Sequence, residues 1–221
     1  MPDDLVLYTN PTSRGRIARW MLEEVGQPYR AEVLDYGTTM KAPAFRAVNP
    51  MGKVPALRHG AAVVTEAAAI CAYLADAFPD AGLAPPPGDP RRAAYYRWLF
   101  FAAGPLESAI LNHALGFVLP AGRERMAGYG SYADVMDALE GAVSGEGHIA
   151  GDAFTAADVY VGSAIGFGLA FGTVEKRPAF ERYWARVGGR PAARRARAID
   201  DALAADRQRQ QEQQQQARPT G

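Results

Sequence analysis

Along the chain the apolar positions change period several times, and each change marks an element. Leu5-Val6-Leu7-Tyr8 reads as a short strand. Thr9-Asn10-Pro11-Thr12-Ser13 has a turn composition. From Arg14 the period lengthens: Ile17, Ala18, Met21, Leu22 and Val25 share one helical face, and Gly26 followed by Pro28 stops it. Tyr29 to Leu34 alternates as a second strand, and a strand–helix–strand crossover implies parallel pairing. Lys41 to Ala47 fits a short helix. Val54–Leu57 and Ala61–Thr65 are expected to form a hairpin turning at Arg58-His59-Gly60. Ala67, Ile70, Cys71, Leu74 and Phe78 line a further helix. Residues 1–78 are thus expected to form a β-α-β-α-β-β-α unit.

Residues 79–90 hold five of the sixteen prolines and read as a linker. Beyond it the strand signal fades, and 91–207 is expected to be all-helical. Asp89-Pro90 carries an N-cap and a first-turn proline. A long helix follows through Trp98, Leu99 and Leu106, with Gly104-Pro105 expected to kink it. Further helices are predicted near Tyr132–Val143, Ala156–Ala170, Ala179–Val187 and Ala192–Ala205. Thr155 to Asp158 has the spacing of a capping box, with Phe154 and Val159 as its staple. The Gln-rich stretch 208–221 lacks apolar periodicity and is expected to be disordered.

Composition narrows the function classes. Lys+Arg and Asp+Glu both number 24, so no global field favours nucleic acid or an anionic membrane. Cys71 is the single cysteine; it sits on an apolar helical face and is expected to be a buried, inert thiol. With no apolar run of spanning length and no signal-peptide pattern at the start, a cytoplasmic protein is expected. His59, His113 and His148 are scattered, so no metal site is expected. Gly145 to Ala150 follows no strand and reads as a loop rather than a dinucleotide site.

Three stretches then agree. Ser13-Arg14-Gly15-Arg16-Ile17 precedes Trp20-Met21-Leu22-Glu23-Glu24; Asn49 to Leu57 runs through Val54-Pro55; Phe154 to Asp158 opens a helix. In this order they resemble the cytosolic glutathione S-transferases, serine-type bacterial members in particular. The resemblance implies a thioredoxin-like α/β N-terminal domain and an all-α C-terminal domain. It implies glutathione as co-substrate, a homodimer, and an apolar electrophile held against the helical domain. In the family the proline after Val54 is cis, and the Val54 backbone pairs with the tripeptide as an added strand would. The resemblance gives Glu66 and Ala67 the γ-glutamyl end, and Lys53, with Lys41 second, the glycyl carboxylate. Ala67 stands where the family usually has Ser, which removes one hydrogen bond. Ser13 is the expected donor to the thiolate, with Tyr8 the backup and Asn10 weaker. Lowering a thiol pKa by about two units needs about 2.7 kcal/mol, within reach of a charge-assisted hydrogen bond and a helix dipole. Arg14 and Arg16 oppose that dipole and have no firm role. The expected activity is attack of the glutathione thiolate on an electrophilic small molecule in a detoxifying transferase. A non-catalytic binding or scaffold protein, and a glutathione-dependent isomerase or dehalogenase, remain open.

Overall fold

The computed structural model describes residues 4–216. Its elements divide into two compact units: residues up to Ile70 together with those from Pro191 onward, and Cys71–Arg190. This differs from the sequence expectation of 1–78 and 91–207. The segment 79–90 belongs to the second unit, and the last helix belongs to the first.

In the first unit β1 (Leu5–Thr9), β2 (Arg30–Val33), β3 (Ala56–His59) and β4 (Ala62–Thr65) form one sheet in the order β2-β1-β3-β4. β1 is parallel to β2 and antiparallel to β3. Every β1 residue is buried, as expected of a central strand covered on both faces. Strand alternation sends Val6 and Tyr8 into a cluster with Met40, Phe45 and Ala56. Helix α1 (Gly15–Val25) carries the predicted face, with Ile17, Ala18, Met21, Leu22 and Val25 all buried. Burying each of the larger side chains contributes about 1.5–3 kcal/mol. A single turn, α2 (Pro43–Arg46), supplies Phe45. The hairpin turns at Gly60-Ala61 rather than at Arg58-His59-Gly60, because Arg58 and His59 pair with Val63 and Ala62 inside β3 and β4. Helix α3 (Ala67–Ala77) follows β4.

The second unit is helical: α4 (Arg92–Phe101), α5 (Glu107–Ala114), α6 (Tyr132–Val143), α7 (Ala156–Phe171) and α8 (Pro178–Gly188). Between α4 and α5 the helix widens into a π-turn over Ala102–Leu106. Pro105 lies inside it; its missing N–H breaks the regular ladder, and the extra residue per turn absorbs the break. The Asp158 carboxylate is fully buried at the start of α7. It accepts from the Thr155 N–H (2.9 Å), the Ile149 N–H (2.9 Å) and the Tyr183 hydroxyl (2.8 Å), so this capping motif fixes the fold.

Helix α9 (Pro191–Gln216) returns to the first unit. Ala192, Ala193, Ala196 and Asp200 form its buried stripe. The helix continues through residues 208–216, which the sequence reading assigned to a disordered tail; 217–221 lie outside the described residues. Gln208 donates to Glu212 at 3.0 Å, an i,i+4 pair of the kind that sustains a polar helix.

Candidate active site

The turn after β1 is built by Asn10. Its side chain is buried; Nδ2 donates to the Leu34 carbonyl (2.7 Å), and Oδ1 accepts from the Thr12 N–H (3.0 Å) and hydroxyl (2.8 Å). Asn10 is therefore scaffold: an Asx turn that ties β1 to the strand beside it. Ser13 closes the turn. Its N–H and its hydroxyl both donate to the Asn10 carbonyl, at 3.0 and 2.7 Å. Its Oγ accepts from the Gly15 N–H at 2.9 Å, the first amide of α1. The Ser13 hydroxyl is thus half-buried at the positive end of a helix, with its one proton resting on a carbonyl.

Gly15 makes this closeness possible. A Cβ there would stand 2.0 Å from Thr9 Oγ1 and 3.0 Å from Ser13 Oγ. Thr9 is fully buried and its hydroxyl makes no hydrogen bond. Tyr8 points the other way. It is 8% exposed, and its ring packs on Phe45 with centroids 5.5 Å apart. Alternation along β1 thus sets Tyr8 in the core, on the opposite side of the strand from Thr9.

The second wall runs through Asn49 to Pro55. Buried Asn49 folds the loop, donating to the Lys53 carbonyl (2.7 Å) and accepting from the Met51 N–H (3.1 Å). Gly52 takes φ +56°, and a Cβ on it would meet the Met40 carbonyl at 2.8 Å. Lys41 Nζ donates to the carbonyls of Met51 (3.1 Å) and Gly52 (2.7 Å). The ammonium expected as a second carboxylate ligand is thus engaged in holding the loop. Lys53 is exposed, Val54 is half-buried, and the Val54–Pro55 bond is cis.

Glu66 closes the arrangement. It is exposed and adopts φ +67°, a left-handed conformation that costs a residue with a Cβ about 1–2 kcal/mol. Its carbonyl accepts from the Ile70 N–H at 2.9 Å, so α3 starts directly behind it at buried Ala67. Strain of this kind clusters at ligand sites. The scaffold roles of Asn10 and Asn49 and the partners of Arg16 were not foreseen, although Asn49 stands in a stretch the sequence singled out. Asn10-Pro11-Thr12 was a readable Asx signal, whereas the partners of Arg16 have none. Among the described residues no cluster of His, Cys, Asp and Glu is arranged to hold a metal.

Two family models match the chain. The glutathione S-transferase N-terminal domain matches residues 13–77, and the C-terminal domain matches residues 122–191. The chain belongs to the glutathione S-transferase family. The N-terminal match opens on Ser13 and includes Lys41, Lys53, Val54, Glu66 and Ala67 but not Tyr8.

Among relatives of this glutathione S-transferase family member is protein LigF of Sphingobium sp., 49% identical over 53 residues. That match covers 24% of this chain and 21% of LigF. Glutathione S-transferase GST-4.5 of Xanthomonas campestris pv. campestris is 35% identical over 95 residues, 43% of this chain and 46% of that protein. The chain therefore spans less than half the length of these two relatives. A sphingomonad glutathione S-transferase complexed with glutathione has 28% identity and a TM-score of 0.71, covering 89% of this chain and 98% of its own. These comparisons do not favour the scaffold or the isomerase and dehalogenase readings.

Proposed function

We propose that this chain is a serine-type glutathione transferase in which the Ser13 hydroxyl stabilises the glutathione thiolate for attack on an electrophilic carbon. The observation that carries this reading is the position of Ser13 Oγ, accepting from the first amide of α1 at 2.9 Å in a chain of this family. A free thiol of pKa about 8.5 is mostly protonated at neutral pH. When the sulfur arrives, the Ser13 proton turns from the Asn10 carbonyl to the thiolate. The Gly15 amide stays on Oγ and polarises the hydroxyl further. Ser13 donates and does not attack.

The Val54 backbone pairs with the tripeptide's own backbone. The amides at the opening of α3 receive the γ-glutamyl carboxylate, and Glu66 its ammonium. Lys53 meets the glycyl carboxylate. The same reading takes the second substrate to be an apolar electrophile undergoing detoxification. It takes the assembly to be a homodimer, in keeping with Phe100, 73% exposed on α4. It places the protein in the cytoplasm, which accords with a buried, unpaired Cys71.

The test is conjugation of glutathione to an activated aryl halide by wild type and Ser13→Ala, with glutathione titrated in parallel. The variant should lose roughly a hundredfold in kcat/KM, with the apparent pKa of the bound thiol rising about two units. Unchanged turnover rejects Ser13 as the donor.

A further inference from the structure

Helix α9 lies antiparallel to α1 and meets it at three polar rungs. Arg195 Nε donates to Glu23 (3.1 Å), Arg19 Nε to Asp200 (2.9 Å), and Arg16 Nη2 to Asp201 (2.7 Å). Each step toward the end of α9 is a step toward the opening of α1. Past the third rung, Arg207 pairs with Asp35, next to the Leu34 carbonyl that holds Asn10. Arg16 is the pivot. Its Nε donates to the Pro11 carbonyl at 2.5 Å while its Nη2 holds Asp201. One rigid guanidinium plane thus joins α9 to the middle of the turn that ends at Ser13. A lysine ammonium cannot reproduce such a fork.

We propose that Arg16 is a positioning residue for Ser13 and that Asp201 of α9 fixes the guanidinium that does it. This rests on the Ser13 reading above. It gives a site role to a helix lying almost wholly outside both family-model matches, 13–77 and 122–191. Two physical points support it. An arginine in the first turn of a helix opposes the macrodipole, so its presence there calls for a compensating contact. Asp201 is 58% exposed, so the pair adds little to stability, and its loss acts on geometry instead. Small misplacements of a catalytic group are costly to rate.

The experiment compares Asp201→Asn, Asp201→Glu, Arg16→Lys and Ser13→Ala in the full chain. It reads kcat, KM for glutathione, the pH profile of kcat/KM and Tm. Asp201→Asn is expected to lower kcat/KM about tenfold, to move the profile alkaline by about one unit, and to leave Tm within a few degrees. Asp201→Glu should restore the profile, and Arg16→Lys should behave like Asp201→Asn. The sign of the shift discriminates. If Arg16 acted only through its charge, removing Asp201 would leave that charge uncompensated and move the profile toward acid, overturning the positioning role. A wild-type profile in Asp201→Asn and Arg16→Lys, with Ser13→Ala shifted, also overturns it while Ser13 stands as the donor. A wild-type profile in Ser13→Ala removes the Ser13 reading and this proposal together.

Discussion

Arg19 of α1 and Asp200 of α9 form an ion pair at 2.9 Å in which the side chains are 3% and 0% exposed. Burial pushes the Asp200 carboxyl up, against the pull of Arg19. Arg19, although burial lowers it, is held above its ordinary range by Asp200 and Tyr29. Arg19 Nη2 and Asp200 Oδ2 make no hydrogen bond, so the pair is incompletely satisfied. Its desolvation cost is therefore only partly offset. Asp200→Ala, which strands a buried guanidinium, should destabilise by about 3–5 kcal/mol. Arg19→Met with Asp200→Leu should cost far less or nothing. Urea unfolding of the three variants checks this; equal losses in the single and double variants would contradict it.

The Gly15 position makes a second prediction. Gly15→Ala places a methyl 2.0 Å from Thr9 Oγ1. Overpacking of this kind costs about 1–3 kcal/mol, and the Ser13 turn should move with it, lowering kcat more than the stability loss implies. Thr9→Ala removes the clashing hydroxyl, which has no hydrogen-bond partner to lose. Adding it to Gly15→Ala should recover most of the stability and part of the rate. No recovery would mean that backbone conformation, and not Thr9, demands glycine here.

These relationships differ in how far the sequence reveals them. The α1 face was legible because Ile17, Met21, Leu22 and Val25 repeat at helical spacing, and all four are buried. The hairpin was legible except for its turn, since Arg58 and His59 are polar but lie on half-buried strand positions. The end of α9 was misread from composition. Gln, Arg, Glu and Ala are good helix formers, and a helix anchored by packing at one end extends through them. The grouping of α9 with the first unit was illegible, because Arg19 and Asp200 stand 181 residues apart. Ser13 stood out only through its likeness to the family's active-site turn, since its place before an apolar helical period alone reads as an ordinary N-cap. The left-handed Glu66 was not legible, since nothing in the sequence separates a strained acid from an ordinary first-turn one.

Glu66 therefore makes a prediction of its own. Its φ of +67° suits glycine, so Glu66→Gly should stabilise the chain by about 0.5–1 kcal/mol. The same change removes the carboxylate proposed to meet the γ-glutamyl ammonium, so glutathione KM should rise roughly tenfold or more. Glu66→Asn tolerates the conformation but lacks the charge, and should lose binding with a smaller gain in stability. Thermal unfolding alongside a glutathione titration checks both halves. A stabilised variant with unchanged KM would leave Glu66 without a ligand role.

The alkaline limb of stability should carry two steps. Burial pushes the Cys71 thiol far above its ordinary range. Burial, opposed by Arg19, pushes the Tyr29 phenol up to about 12. A raised pKa in the folded state means that the unfolded chain loses its proton first. Stability is then intact below the unfolded pKa and declines as pH rises toward the folded one. Decline should begin above about pH 8.5, where an unfolded cysteine ionises, at up to about 1.4 kcal/mol per pH unit. It should steepen above about pH 10 as Tyr29 joins, together with Tyr95, Tyr132 and Tyr183, whose phenols burial also pushes up. Cys71→Ala should carry the plateau on to about pH 10 while leaving the second step in place. Urea titrations from pH 7 to about pH 11 would show this. The same ordering predicts that a thiol reagent modifies the native chain at pH 8 only at the rate of unfolding; fast labelling would mean that Cys71 is reachable in the folded state.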